Sequence, residues 1–519
     1  MSISLDATGV LRNIRVVENE QFVCPQKEFG MSHQDRKSQH PIVVNHETLR
    51  DVTGWLFRPA LFRGMEVRAG SKWKPRLLAM TALFWATSDH TTLGDRFEHA
   101  SKVSKKVSRG QPEPGRSYRG FTKMLALWSA RLLVAVVCEL RLRMQQELPG
   151  QYEIAGFRVF AGDGSRIELP RTKSNQQSYS PRRKEKRSKK KARRRRSPQG
   201  GKQKARARKQ RTMKKQSAAS IDKKASMTQM WLTLLWHVGT GLPWAWRSGA
   251  ADSSERHHLL EMLDEMPENS LITADAGFVG YDFWKAVLEA NVDFVIRVGA
   301  NVTLLKKLGY AREYANTVYL WPDRVAKKKL PPWVLRLIVL HDGKQPVYLV
   351  TSVLSKQRLS DQQAIEIYRQ RWGIELFFRT FKQTFRRNKL LSHAAHNAKL
   401  ELDWSLVALW CICLLGQREL LRAGIAPSQL SPADAIKAVQ ITLRDYRTRP
   451  ESPDESLWPM LCRAQRDDYH RTSSKTSRGY PRKKQRERVA APIILLASKT
   501  QIDAAKELKA IDKQIRSAA

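Results

Sequence analysis

Four residues in the segment IEIYRQRWGIELFFRTFKQTFRR have side chains that could act together: Tyr368, Arg371, Glu375 and Lys382, at offsets 0, 3, 7 and 14. At about 100° per helical residue they fall within an arc of roughly 60°. One face of a predicted helix therefore carries a phenol, a guanidinium, a carboxylate and an ammonium. Ile367, Ile374, Phe378 and Phe385 predict an apolar stripe on one side of it, and Trp372 and Leu376 flank the other. A charged stripe between apolar stripes predicts an acid held in a cleft with cations beside it, as phosphate chemistry needs.

Two further acids have suggestive settings. Asp163, in IAGFRVFAGDGSRIELP, and Asp275, in SLITADAGF, each read as the C-terminal end of an apolar strand followed by small residues. In open α/β sheets ligands bind at that end. Three acids from two strands and a helix can hold two Mg²⁺ ions roughly 3.5–4 Å apart, one activating a water or 3′-hydroxyl and the other stabilising the leaving oxygen. Hard oxygen ligands fit Mg²⁺ or Mn²⁺ and not zinc. Taken singly, an Asp before Gly is most often an Asx turn and a mid-helix Glu is usually solvated. The three in order, flanked by Tyr, Arg and Lys, outweigh those readings.

Composition points to the partner. The 519-residue chain has 93 Lys and Arg against 49 Asp and Glu, a formal charge of +44. That excess predicts a polyanion, nucleic acid before membrane. The most apolar run, Trp404–Gly416, is shorter than the ~18 residues of a spanning helix and predicts a buried core helix. The N-terminus shows no cationic start followed by an apolar block, so no secretory signal is expected. Five cysteines, Cys24, Cys138, Cys411, Cys413 and Cys462, predict reduced thiols in a cytoplasmic protein.

The elements that must position the acids follow in blocks. Residues 1–150 predict a helical N-terminal region. Residues 151–300 predict strands and helices of a mixed α/β core, interrupted at 173–216 by a basic insert expected to be disordered for want of apolar residues. Residues 301–353 turn to short strands. Residues 354–390 carry the signature helix, opened by Ser360 as N-cap with Asp361 and Gln363 after it. Residues 391–519 predict a helical C-terminal region containing a basic segment. No internal repeat is visible.

These residues resemble the DDE transposases of bacterial insertion sequences, in the branch with a Tyr-Arg-Glu-Lys signature (insertion-sequence family four). YRQRWGIELFFRTFK matches Y-x2-R-x3-E-x6-K at Tyr368, Arg371, Glu375 and Lys382. AGDGSRIELP and LITADAGF look like the segments carrying the first and second Asp, and the resemblance spans about Phe157 to Arg387. It implies an RNase H-like catalytic core with a β-rich insertion between the second Asp and the Glu, and α/β class overall. Ala276 departs from the family, which often has Arg there, and the basic insert is longer than the family core requires.

The resemblance implies that Asp163, Asp275 and Glu375 bind Mg²⁺, with Mn²⁺ able to substitute, and that Tyr368, Arg371 and Lys382 grip phosphates near the cleaved end. Arg379 and Arg386 lie within about 20° of the same helical stripe and are added as DNA contacts. An aromatic residue of the β insertion would hold a flipped base, and Trp321 and Trp333 are both candidates. The function implied is cut-and-paste transposition: cleavage at terminal inverted repeats, through a hairpin in much of this branch, then strand transfer into target DNA. A homodimer is expected in the synaptic complex, without a membrane partner, at the bacterial nucleoid. The alternatives are a nuclease of the same fold without strand transfer, and a DNA-binding regulator with a dead site. Basic residues on phosphates position DNA without reading it. Deleting Arg182–Lys215 is therefore expected to flatten the salt dependence of DNA binding, by about 0.9 in log–log slope for each phosphate no longer neutralised; an unchanged slope in a binding titration would contradict that role.

Overall fold

Strand-forming runs scattered over more than 300 residues of sequence assemble into one ten-stranded sheet. The computed structural model describes residues 42–68, 70–109, 113–181, 228–341, 346–467 and 490–518. The basic insert Arg182–Lys215 and the basic segment 471–488 lie outside the described residues. The strands are β1 (Arg158–Glu168), β2 (Gln229–His237), β3 (Leu242–Ala250), β4 (Ser270–Ala274), β5 (Asp293–Val298), β6 (Thr303–Lys306), β7 (Thr317–Leu320), β8 (Trp333–His341), β9 (Pro346–Thr351) and β10 (Ile493–Leu496). Their spatial order is β10-β6-β7-β8-β9-β5-β4-β1-β2-β3.

The centre of the sheet explains its sequences. β4 runs parallel to both β1 and β5, and all five residues of β4 are buried. A parallel strand covered on both faces reads as a continuous apolar run rather than an alternating one, which is why SLITA shows no period of two. β2 and β3 continue the sheet antiparallel beyond β1.

The strand-rich block 301–353 is not a sheet of its own. β9 pairs antiparallel with β5, from Val295↔Thr351 to Val298↔Tyr348, so the block extends the central sheet. The C-terminal region, expected to be helical, also supplies β10, which pairs parallel with β6.

Helices α1 (Asn45–Leu56), α2 (Pro75–Thr87), α3 (Leu93–Val107) and α4 (Tyr118–Glu147) precede the sheet. They pack with α10 (Ala395–Arg422) and α11 (Pro432–Arg444), so the N-terminal and C-terminal helical regions share one core. Between them along the chain come α5 (Lys173–Tyr179), α6 (Glu255–Leu260), α7 (Tyr281–Glu289), α8 (Asp361–Gln370) and α9 (Gly373–Arg379); α12 (Leu457–Cys462) and α13 (Lys499–Ala518) close it. α5 lies where the disordered insert was expected to begin. Thr172 caps it, and Tyr179 donates to the Ala395 carbonyl at 3.1 Å, anchoring it to α10.

Trp404–Gly416 forms the buried middle of α10, as its all-round apolarity predicts. One helix among the described residues, α4, is long and apolar enough to cross a membrane by length and composition, contrary to the sequence reading that none is. Its Phe121, Leu125, Leu132, Val136 and Leu140 are buried in the shared core, while Leu127, Val134 and Cys138 are exposed.

Arg387 ties the layers together. Its guanidinium, pushed down to about 9 mainly by burial, donates to Ser405 Oγ at 3.0 Å, the Phe385 carbonyl at 2.9 Å and the Ala86 carbonyl at 2.6 Å. The end of the signature segment is thereby fastened to α10 and to α2. Arg387→Met leaves two buried carbonyls without donors and is expected to cost about 3–5 kcal/mol in denaturant unfolding; a loss under about 1 kcal/mol would show that the network does not hold these layers.

Candidate active site

The parallel pairing of β1 with β4 runs from Arg158↔Ser270 to Ala161↔Thr273 and stops there. Continuing that register by two residues sets Asp163 level with Asp275. Residues level on neighbouring strands project from the same face, about 4.8 Å apart along the hydrogen-bonding direction. Two carboxylates are thus brought side by side where β4 ends and leaves β1 open on that edge.

Asp163 does not end its strand, as the sequence reading had it. β1 continues to Glu168 because β2 pairs with it throughout, Asp163 facing Leu234 and Glu168 facing Gln229. Asp275 does lie just past its strand, as N-cap of the 3-10 turn Ala276–Phe278. Each carboxylate takes one local backbone hydrogen bond, Asp163 from Gly164 N at 2.8 Å and Asp275 from Gly277 N at 2.7 Å.

The third acid arrives on a helix whose start is well marked. Ser360 and Gln363 form a reciprocal capping box, with Gln363 N donating to Ser360 Oγ at 3.1 Å and Ser360 N to Gln363 Oε1 at 2.9 Å. The single helix expected through residue 385 is interrupted. At Arg371–Trp372 the hydrogen bonds tighten to three-residue spacing, as Trp372 N→Arg369 O and Ile374 N→Arg371 O, and α9 begins at Gly373. A Cβ on Gly373 would overlap the Trp236 indole of β2. Only glycine lets this helix lie close to the sheet, two residues before Glu375. The expected apolar stripe holds on one side, with Ile367, Ile374, Phe378 and Phe385 buried. On the other side Trp372 is 55% exposed and flanks no core.

Around the acids stand the expected cations. Arg371 Nη2 lies 3.9 Å from Glu375 Oε1, and its guanidinium sits 5.5 Å from the centre of the half-buried Tyr368 ring. Its buried Nε has no hydrogen-bond partner among the described residues. Lys382 Nζ donates to Ser165 Oγ at 2.5 Å, two residues from Asp163. Burial lowers the Lys382 pKa, against the pull of Asp163 and Glu168. Burial pushes the Asp163 carboxyl up to about 6; the Gly164 amide and Arg371 work against that shift, and Asp275 and Glu375 add to it. Asp163 therefore feels Asp275, Glu375 and Arg371.

A fourth acid escaped the sequence reading. Glu255 opens α6 and packs over Gly164, where a Cβ would stand 2.7 Å from Glu255 Cγ and Oε1. Burial first, then Asp163 and Asp275, raise its carboxyl to about 7. In sequence it is an ordinary first-turn acid after the cap Ser254, so nothing local marks it.

Other expected site residues lie elsewhere. Trp321 is 4% exposed and its indole donates to the Leu330 carbonyl at 2.8 Å, so its ring is sheet core and not available to a base. Trp333 is half-buried, tilted against Tyr281 at 5.5 Å, with its indole N 3.4 Å from the Tyr281 carbonyl. Arg379 is exposed at the end of α9. Arg386 does not lie on the helical stripe. The helix widens to a π turn over Thr380–Thr384 and ends, and Arg386 adopts φ 54° in a separate cavity with Asp89, Arg96 and Lys437.

Among the described residues no three His, Cys, Asp or Glu side chains converge on a single point as a one-ion cage. The chemistry of the donor set nonetheless suits hard divalent cations: Asp163, Asp275 and Glu375 offer only carboxylate oxygens, and Asp275 and Glu375 both raise the Asp163 carboxyl.

The chain is similar to known proteins over part of its length. A family model described as a Transposase DDE domain matches residues 155–411, a stretch that contains all three acids. A protein of Synechocystis sp. (strain ATCC 27184 / PCC 6803 / Kazusa), assigned as a transposase for insertion sequence element IS4SA, is 25% identical over 184 residues, 34% of this chain and 51% of that protein. Transposase InsG for insertion sequence element IS4, of Escherichia coli (strain K12), is 25% identical over 203 residues, 37% of this chain and 45% of its own. Residues 155–411 match the DDE transposase domain, and these relatives support a DDE transposase of insertion-sequence family four. The chain spans about half the length of the curated relatives it matches. A piggyBac transposase in a synaptic complex with hairpin DNA aligns at a TM-score of 0.36 and 11% identity, over 82% of this chain and 87% of that one.

Two outcomes test the geometry. Gly373→Ala is expected to destabilise the fold by about 1–3 kcal/mol by overpacking, and Trp236→Leu in the same chain to recover most of that; a neutral Gly373→Ala would show that the helix does not depend on this close approach. The second concerns pH without metal. A carboxyl whose folded pKa is raised above its unfolded value near 3.8 binds more protons when folded, so its contribution to stability is lost as pH rises. For Asp163 the window runs from about 4 to about 6. Asp163→Asn, which cannot ionise, is therefore expected to gain stability over wild type as pH rises through that window and to hold the gain above it. A constant difference between the two melting curves would contradict the strained carboxylate.

Proposed function

We propose that this chain is a DNA transposase that cuts at the ends of its element and joins the freed 3′-hydroxyls to target DNA, in a metal-dependent reaction. The observation that supports the reading is that Asp275, beside Asp163 by strand register, and Glu375, on the signature segment, both act electrostatically on Asp163. The stretch β3-β2-β1-β4-β5, with β2 antiparallel and β4 parallel to β1, supports an RNase H-like core. The strands from β6 to β9, between Asp275 and Glu375, would be its β-rich insertion.

Asp163, Asp275 and Glu375 would hold Mg²⁺, or Mn²⁺ in its place, which when bound supplies Lewis-acid activation of the attacking and leaving oxygens. Arg371 has a buried Nε–H with no acceptor among the described residues, suited to a phosphate oxygen of the substrate. Tyr368 holds that guanidinium by its ring face. Lys382, kept beside Asp163 by Ser165, places a second cation on the same side. Glu255 packs over Gly164, beside Asp163. Trp333 is the remaining candidate for holding a displaced base, and Arg379 for a contact with flanking phosphates. Two ends must be processed together, so a homodimer on DNA follows from the reading.

The test uses duplex carrying the gene's own flanking ends, with Mg²⁺ or Mn²⁺. Wild type is expected to nick the ends and transfer strands into a plasmid, and chelation to abolish both. Glu375→Gln, Asp163→Asn and Asp275→Asn are each expected to lose roughly 10³-fold or more in cleavage, about 4 kcal/mol of barrier, while still binding the ends. Cleavage without joining would point to a nuclease; binding without cleavage by wild type would overturn the assignment of chemistry to these acids.

A further inference from the structure

Away from the sheet, α1, α3 and the chain just past α11 enclose a cleft of about 660 Å³. Its cations are Arg50, Lys102, Lys105, Lys106, Arg109 and Arg447. It continues into a second cleft of about 280 Å³ that shares Arg50 and Arg109 and adds Lys74 and Arg76. Three carboxylates offset part of this charge: Glu47 lies 3.9 Å from Arg50, Glu98 2.7 Å from Lys102 and Glu113 2.5 Å from Lys105. Lys74, Lys106, Arg109 and Arg447 have no acidic partner among the described residues. Exposed ion pairs of the first kind are weak and open readily to a stronger anion.

We infer that this double cleft is a sequence-independent binding track for the phosphodiester backbone of duplex DNA, separate from the carboxylate site. The inference rests on the reading of the chain as a DNA-acting protein. Geometry favours an extended anion over a small one. Lys102, Lys105, Lys106 and Arg109 succeed one another at the end of α3, so the row from Lys102 to Arg109 runs about 10 Å, the reach of roughly three phosphates of one strand. Eight of the sixteen lining residues are Lys or Arg, against one acid, Glu47. Lys and Arg heads in a row meet the evenly spaced phosphates of a strand, and such contacts position DNA without carrying sequence information. The helices of the two ends of the chain meet here: Asn45 N donates to the Thr448 carbonyl and His46 N to the Tyr446 carbonyl, so a bound strand would bridge N-terminal and C-terminal regions.

His46 is a built-in reporter at the wall of the cleft. Its Nδ1 stands 3.3 Å from the Tyr446 carbonyl. Burial first, then Lys106 and, more weakly, Arg50 lower its pKa, against the Tyr446 carbonyl and Glu47. A phosphate laid between Lys106 and Arg50 cancels their effect and moves it up.

The full-length chain tests this with Lys102→Gln, Lys106→Gln and Arg109→Asn combined; Arg109 has φ 57°, which Asn tolerates. Binding is measured between about 50 and 300 mM salt on duplex of the flanking ends and on random duplex. The expected result is a log–log salt slope reduced by up to about 2.7, three phosphates at about 0.9 each, equally on both duplexes. The His46 imidazole of wild type, followed by NMR, is expected to titrate higher with random duplex bound, and not with inorganic phosphate at matched ionic strength. An unchanged slope with an unmoved His46 overturns the track, as does a loss confined to the flanking-end duplex or tighter competition by an acidic polypeptide than by DNA. Glu375→Gln, measured alongside, keeps the wild-type slope, so a failure of the catalytic reading appears as intact cutting by that variant and not in the slopes.

Discussion

The structure depends on a short parallel contact between β1 and β4. Four residue pairs fix its register, and that register alone decides that Asp163 stands level with Asp275. A slip of one residue would turn one carboxylate to the opposite face of the sheet. The pairing also ends two residues before the acids, which opens an edge just where two like charges need room. Everything else near the site adapts to the cost of holding them together: burial and the neighbouring acids push Asp163 up, and Arg371 pulls it back.

Like charges held in a half-buried cleft are destabilising unless a cation or a proton compensates. Two protein cations stand near these acids. Arg371 is 3.9 Å from Glu375, a loose pair, and Lys382 is turned to Ser165. On the proposed reading, negative potential at the acids would attract divalent ions, and Arg371 and Lys382 the phosphates those ions act on. The interrupted helical segment bearing Glu375 is held from two ends, by the Ser360 capping box at the start of α8 and by Arg387 after the π turn that follows α9. Gly373 sets its distance from the sheet.

Much of this was legible in the sequence because it was local. The capping box, the buried stripe of Ile367, Ile374, Phe378 and Phe385, the core helix around Trp404–Gly416 and the order of the three acids all follow from spacing and residue type. What was not legible depends on partners distant in the chain. β1 runs on past Asp163 because β2, beyond the basic insert, pairs with it. The strand block 301–353 joins the main sheet because β9 happens to lie against β5. Glu255 becomes part of the site only because α6 packs over Gly164. The helical stripe failed at Arg386 because the helix widens into a π turn and stops, a change of period that no apolar pattern announces. Trp321 and Trp333 were equivalent in sequence, and burial alone separates them.

The central claim is that Asp163, Asp275 and Glu375 share bound metal. Iron-directed cleavage tests it most directly. Fe²⁺ replaces Mg²⁺ in the full-length protein, and ascorbate with peroxide then generates hydroxyl radicals at the ion, which cut the nearest backbone. The account predicts cuts in three separated segments, around residues 163, 275 and 375, suppressed together by excess Mg²⁺ and by Asp163→Asn. Cuts near only one of these acids, or a pattern that Asp163→Asn leaves unchanged, would contradict a shared metal site.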